Sequence, residues 1–175
     1  MSAPKLRDLE AERGLLGAAL LCERRVDQEH VLGLLPAAGY FSEAHREVHG
    51  VLSARCAEGQ TWGTVELVTW AVQSSQLDRL GGLDLLTTLA DRAPTTLGAE
   101  RLAGVLRELW ARRQVVEHAD RLRELAGDTA VPWDRVDSTL TAPPQSPLAV
   151  HGGRWQSALD VAALWSNMGI SLLGI

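Results

Sequence analysis

Two histidines, His45 and His49, stand four residues apart in the string HREVH, the spacing at which two imidazoles on one helix face can share a zinc ion. A zinc protease would place a glutamate directly after the first histidine. Arg46 holds that position here, Glu47 falls off the histidine face, and the reading finds no third His or Cys nearby to complete a ligand set. The pair is therefore read as surface or capping residues, and no metal is expected. A P-loop needs a lysine after its glycine-rich turn to reach the β- and γ-phosphates. The single lysine, Lys5, follows Ala3 and Pro4, so this chain carries no nucleotide site of that type. The string RLGGLD at 79–84 has two glycines but follows no strand and reads as a helix break. No serine sits in a GxSxG context, and the carboxylates read as solvated helix charges. Six tryptophans invite base stacking, but the helical spacing around Trp110, Trp155 and Trp165 favours packing. The expectation is a chain with no catalytic site and no cofactor of its own.

Such a chain must act through its surfaces, so the elements matter more than any single residue. Its 175 residues are 46% apolar and 22% charged, the balance of a globular protein with a real core. A net charge of −5 lacks the basic surplus that phosphate contacts demand, so DNA binding through this chain should be weak. Cys22 and Cys56 lie in apolar helical contexts without CxxC spacing and read as reduced core thiols. No run approaches the roughly 18 apolar residues of a membrane span. These features predict a cytoplasmic protein with no membrane contact.

Apolar residues recur at helical spacing nearly everywhere, and no strand is convincing, so the expected class is all-α. Asp8 caps a first helix with Leu9, Leu16 and Leu20 on one stripe; Asp27 opens a short helix that closes by Pro36. Ser42 caps a third, carrying Ala44, Val48, Val51, Leu52 and Cys56 inward until Gly59. Thr64 caps a fourth with Val65, Val68, Ala71 and Val72 inward, and after Gly81 and Gly82 the pattern resumes at Leu83, Leu86, Leu89 and Ala90. Residues 1–97 read as a globular helical domain. Residues 98–140 read as a projecting helical hairpin, with a long first helix and a short return that Pro132 starts. A hairpin that leaves its domain must bury its stripe on a partner. The expected oligomer interface is Leu102, Leu106, Leu109, Val116, Leu122, Trp133, Val136 and Leu140. Residues 141–153, rich in Pro, Gly, Ser and Thr, read as a flexible linker. Residues 154–175 read as a tethered amphipathic helix whose Trp155, Leu159, Ala162 and Trp165 would dock elsewhere.

In order along the chain, LEAERGLLGAALL, GYFSEAHREVHGVL, LDRLGGLDLLTTLADRAPT and LAGVLRELWARRQVV resemble the N-terminal domain of the DnaB family of replicative DNA helicases. The family's EAE followed by LLG is similar to Glu10, Ala11, Glu12 and Leu15, Leu16, Gly17. Its aromatic-plus-His segment is similar to Tyr40, Phe41 and His45, its double glycine to Gly81 and Gly82, and its paired arginines to Arg112 and Arg113. Gly98 and Leu102 depart from the Asn and Tyr that the family often has there. The resemblance implies hairpins that pair into dimers, dimers that close into a hexameric ring, and docking of primase, with a helicase loader as a further partner. It also implies that 154–175 is the linker helix and junction to a RecA-like motor beyond Ile175, and that ATP and magnesium belong to that motor. A stand-alone helical adaptor, loader or regulator of such a helicase is the second reading.

Overall fold

A computed structural model of the chain describes residues 6–142, and among them every regular element is helical. Of the linker expected over 141–153, Thr141 is the last residue of a helix and 143–153 lie outside the described residues, as does the whole tethered helix expected over 154–175, with Trp155, Leu159, Ala162 and Trp165.

Helix α1 spans Leu9–Leu20 and starts as its sequence dictates. Asp8 sits at the N-cap and its carboxylate accepts from the Ala11 amide at 2.9 Å. Leu15, Leu16 and Ala19 along α1 are almost wholly buried. Helix α2, Arg25–Gly33, begins two residues before the expected opener. Asp27 lies in its first turn, where it accepts from the Arg24 guanidinium at 2.7 and 3.0 Å. Helix α3, Glu43–Ala57, has Ser42 at its N-cap and ends where Gly59 takes φ of +85°. Val48, Leu52 and Cys56 face inward, as their spacing predicted.

Helix α4, Thr64–Gln73, corrects the predicted stripe. Leu67 and Ala71 are the fully buried residues, whereas Val65 and Val72 are exposed. Ala71 and Val68 of the predicted stripe do pack on the core, while Val65 and Val72 turn outward and Leu67 takes the inner place; the rotation of α4 is set at its start, where Gly63, not Thr64, holds the N-cap. Glu66 accepts from the Gly63 amide at 3.0 Å, and the preceding Trp62 is held at both backbone groups by Gln28. Gln28 is wholly buried; its amide nitrogen donates to the carbonyls of Ala19 and Trp62, at 2.9 and 2.7 Å, and its oxygen accepts from the Trp62 amide at 3.2 Å. One side chain thus ties α1, α2 and the entry to α4 together. Arg55 of α3 adds a second tie, its guanidinium lying 4.7 Å from the Trp62 ring and 5.7 Å from that of Trp70.

Gly81 and Gly82 both adopt positive φ before α5, Gly82–Leu89, so the break read from sequence is a left-handed turn that other residues rarely enter. Leu86 and Leu89 are buried, while Leu83 is 48% exposed. Helix α6 then runs unbroken from Thr96 to Gly127, and α7 spans Trp133–Thr141.

The chain divides into two units at Trp110 and Ala111, inside α6, not at residue 97. Packing explains the difference: Ala99, Ala103 and Leu106 are at most 1% exposed within the core of the first unit, where Leu102 and Trp110 also pack. The first half of the long helix therefore does not project from that core.

Helix α1 approaches the end of α5 at Gly17. A Cβ there would overlap the carbonyl oxygen of Leu89 and lie 3.0 Å from its carbonyl carbon, neither of which can swing aside as a side chain can. Gly17→Ala should therefore destabilise the first unit by about 3 kcal/mol. Urea denaturation read by circular dichroism checks this, with Gly33→Ala, where nothing lies within 4 Å, as the near-neutral control.

Candidate assembly surface

The residues singled out for chemistry are buried. Glu12 is 0% exposed, on the same stripe of α1 as Leu16 and Leu20. Its carboxylate accepts from the amides of Phe41 at 2.5 Å and Ser42 at 3.2 Å, and from Nδ1–H of His45 at 2.6 Å. The two amides belong to the chain just entering α3, so an α1 carboxylate satisfies groups at a helix N-terminus, where negative charge is favoured. His49, one turn beyond His45, donates from Nε2 to the Leu32 carbonyl at 3.1 Å and receives Ser53 Oγ at 3.4 Å. Neither histidine holds the surface role expected of it. The Tyr40 ring stands 5.4 Å from that of His49, and burial together with the Glu12 charge pushes the Tyr40 hydroxyl well up. With its acceptors engaged and its side chain closed to solvent, this cluster fixes structure; it has no room for a substrate.

Glu12 was missed by a reading that placed all carboxylates in solvent. The signal was its place among leucines, since a carboxylate on an apolar stripe must find buried donors.

The surface residues divide between the two units. Leu106 is consumed by the core of the first unit, and Leu102 and Leu109 are half-buried there. In the second unit Val116 is 48% exposed, Leu122 is half-buried, Trp133 is 70% exposed and Leu140 is 59% exposed, while Val136 is buried. Val115, not singled out by its spacing, is exposed beside Val116. Charges of both signs interleave on this part of α6: Asp120 pairs with Arg123, and Gln114 donates to Glu117 at 2.9 Å. Of the expected interface, the second unit thus retains Val116, Leu122, Trp133 and Leu140 as accessible positions.

Short helices gathered round a buried carboxylate that ties α1 to α3, followed in the chain by the long α6 and the short α7, fit the N-terminal domain of a replicative helicase. The solved N-terminal domain of DnaB helicase from Mycobacterium tuberculosis superimposes with a TM-score of 0.68 at 26% identity, over 78% of this chain and 98% of that one. The model of the DnaB-like helicase N-terminal domain matches residues 4–108, and the chain belongs to that family. The replicative DNA helicase DnaB of Nostoc sp. is 27% identical over 123 residues, 70% of this chain and 14% of the relative. DnaB of Mycobacterium leprae is 26% identical over 94% of this chain and 29% of the relative, and that of Geobacillus stearothermophilus 24% over 89% and 34%. The chain thus spans at most about a third of the length of these relatives. Among the described residues no helix is long and apolar enough to cross a membrane.

Two of the four strings that carried the resemblance meet at Glu12, where EAE touches the Phe41 and His45 segment. Removing that carboxylate's charge leaves buried donors mismatched. Glu12→Gln should cost about 3–5 kcal/mol of stability, measured by chemical denaturation.

Burial lowers the proton affinity of His49 below the ordinary 6.5, outweighing the bonds to the Leu32 and Leu35 carbonyls that raise it. The unfolded chain then takes up a proton before the folded one does, so this contribution is full above pH 6.5 and is lost as pH falls toward the folded value. The thermal midpoint should drop between pH 7 and pH 5, and His49→Gln should flatten that part of the profile relative to the wild-type chain.

Proposed function

We propose that this domain is an assembly and docking module of a hexameric replicative helicase in the cytoplasm. Its hairpins pair copies of the chain, the pairs close into a ring, and the ring receives primase and a helicase loader. ATP, magnesium and unwinding belong to a motor domain of the parent protein, and DNA meets this domain only weakly. One observation carries the reading: Trp133 and Leu140, the largest apolar residues of α7, are 70% and 59% exposed seven residues apart on a helix whose Val136 is buried. Two large apolar groups aligned along a short helix, with Val115 and Val116 also exposed in the same unit, make the kind of patch that proteins cover by association. Family membership supports the same reading, since the relatives it matches are replicative helicases.

Leu140 is exposed, so an aspartate there costs the free chain little, but in a pairing contact it leaves a desolvated charge. Light scattering should show the wild-type chain associating at tens of micromolar. Leu140→Asp should weaken that association by roughly a hundredfold or more, with the urea denaturation midpoint of the first unit unchanged. A monomeric wild-type chain, or a variant that associates as before, would remove the physical basis of the proposal.

A further inference from the structure

Helix α7 has little of its own to hold it. At nine residues it is shorter than the ~12–15 that an isolated helix needs to persist in water. Pro132 at its N-cap supplies no side-chain acceptor for the free amides of the first turn. Ser138 and Thr139 turn their hydroxyls onto the Arg135 carbonyl, each at 2.9 Å, and Thr141 turns its own onto that of Asp137 at 3.0 Å. Such bonds compete with the backbone ladder and weaken a helix slightly. Asp134 in the first turn opposes these effects only in part.

Packing within the chain is equally thin, because Val136 is the one buried side chain of α7. At 100° per residue, Trp133 and Leu140 project within about 20° of each other and Val136 within about 60° of both. The apolar stripe is therefore covered along the Val136 edge and open along the Trp133 and Leu140 edge.

We propose that a second copy of this chain covers the open edge and that α7 is stable as a helix only in that pairing, so that assembly folds α7. This rests on the self-association proposed above and adds a conformational step to it. The charges flanking the stripe point to a copy of the same chain as the occupant. Asp134, Arg135 and Asp137 are all exposed, and Arg121 and Glu124 are exposed on α6 of the same unit, where Asp120 and Arg123 already pair with each other. In a two-fold contact each residue i meets j and each j meets i, so a face carrying both signs supplies both halves of its ion pairs. A partner of one sign would leave half of them opposed by like charge.

Hydrogen–deuterium exchange of the whole chain, at about 1 and about 100 µM with light scattering in parallel, tests this. Amide exchange over 136–141 should slow by roughly tenfold or more as the associated fraction rises, while that of α3 stays constant. Trp133→Ser, a change at an exposed position, should hold 136–141 at the fast rate at both concentrations and leave α3 as it was. If the mass rises with concentration while 136–141 exchange at one rate throughout, fast or slow, association stands and coupled folding is overturned. If the mass does not rise at all, both readings fall.

Discussion

A wholly buried carboxylate is the constraint on which the head of this molecule depends. Glu12 sits among leucines on α1, where an unpaired charge would be prohibitive, and it is tolerable there because three donors converge on it. Two of the donors are backbone amides of the chain entering α3 and the third is a side chain one turn into that helix. Satisfying the charge therefore fixes the position and rotation of α3 against α1. Once α3 is set, His49 reaches the Leu32 carbonyl of α2 and Arg55 reaches the Trp62 and Trp70 rings. Gln28 closes the circuit from α2 back to α1 and to the entry of α4. Apolar burial supplies the driving force, and these few polar ties select one arrangement of helices that leucine packing alone would leave loosely specified.

The same division of labour appears along α6. Its first part carries alanines where the core needs close approach, and Ala99 and Ala103 are wholly buried. Beyond Trp110 the helix carries valines and leucines that its own unit leaves partly exposed, interleaved with charge. A single continuous helix thus changes its solvent partway, from protein interior to surface. Periodicity cannot report that change, because the spacing of apolar residues is the same on both sides of it.

That limit explains what was legible in the sequence. The all-α class, the caps at Asp8 and Ser42, the stops at Gly59 and Gly81, and the start of a helix after Pro132 follow from local rules, and the structure realises each of them. Positions decided by tertiary contact were not legible. Leu106 looked like any other residue of an interface stripe, and only the packing of the first unit shows that it is already spent there. Val65 and Val72 fitted a helical stripe with the buried Ala71 as well as Leu67 did; the contacts of Gln28 and Glu66 at the start of α4 decided between them. His45 and His49 carried a spacing that metal sites use, but their partners, Glu12 and the Leu32 carbonyl, lie 33 and 17 residues away in sequence.

What remains is a contrast in how two parts of one chain are stabilised. The first unit encloses its buried carboxylate and packs its core closely, down to the donors around Glu12 and the near approach of α1 to the Leu89 carbonyl at Gly17. Helix α7 encloses only Val136, and its two largest apolar side chains face outward. Natural sequences tend toward consistency between local preference and tertiary role, and departures cluster where function is performed. A leucine and a tryptophan left exposed on a weak helix are unfavourable for the chain taken alone, but in an assembled state they become the favourable contacts. The physical reason to look for function in the second unit is therefore the free energy that the single chain leaves unrealised there.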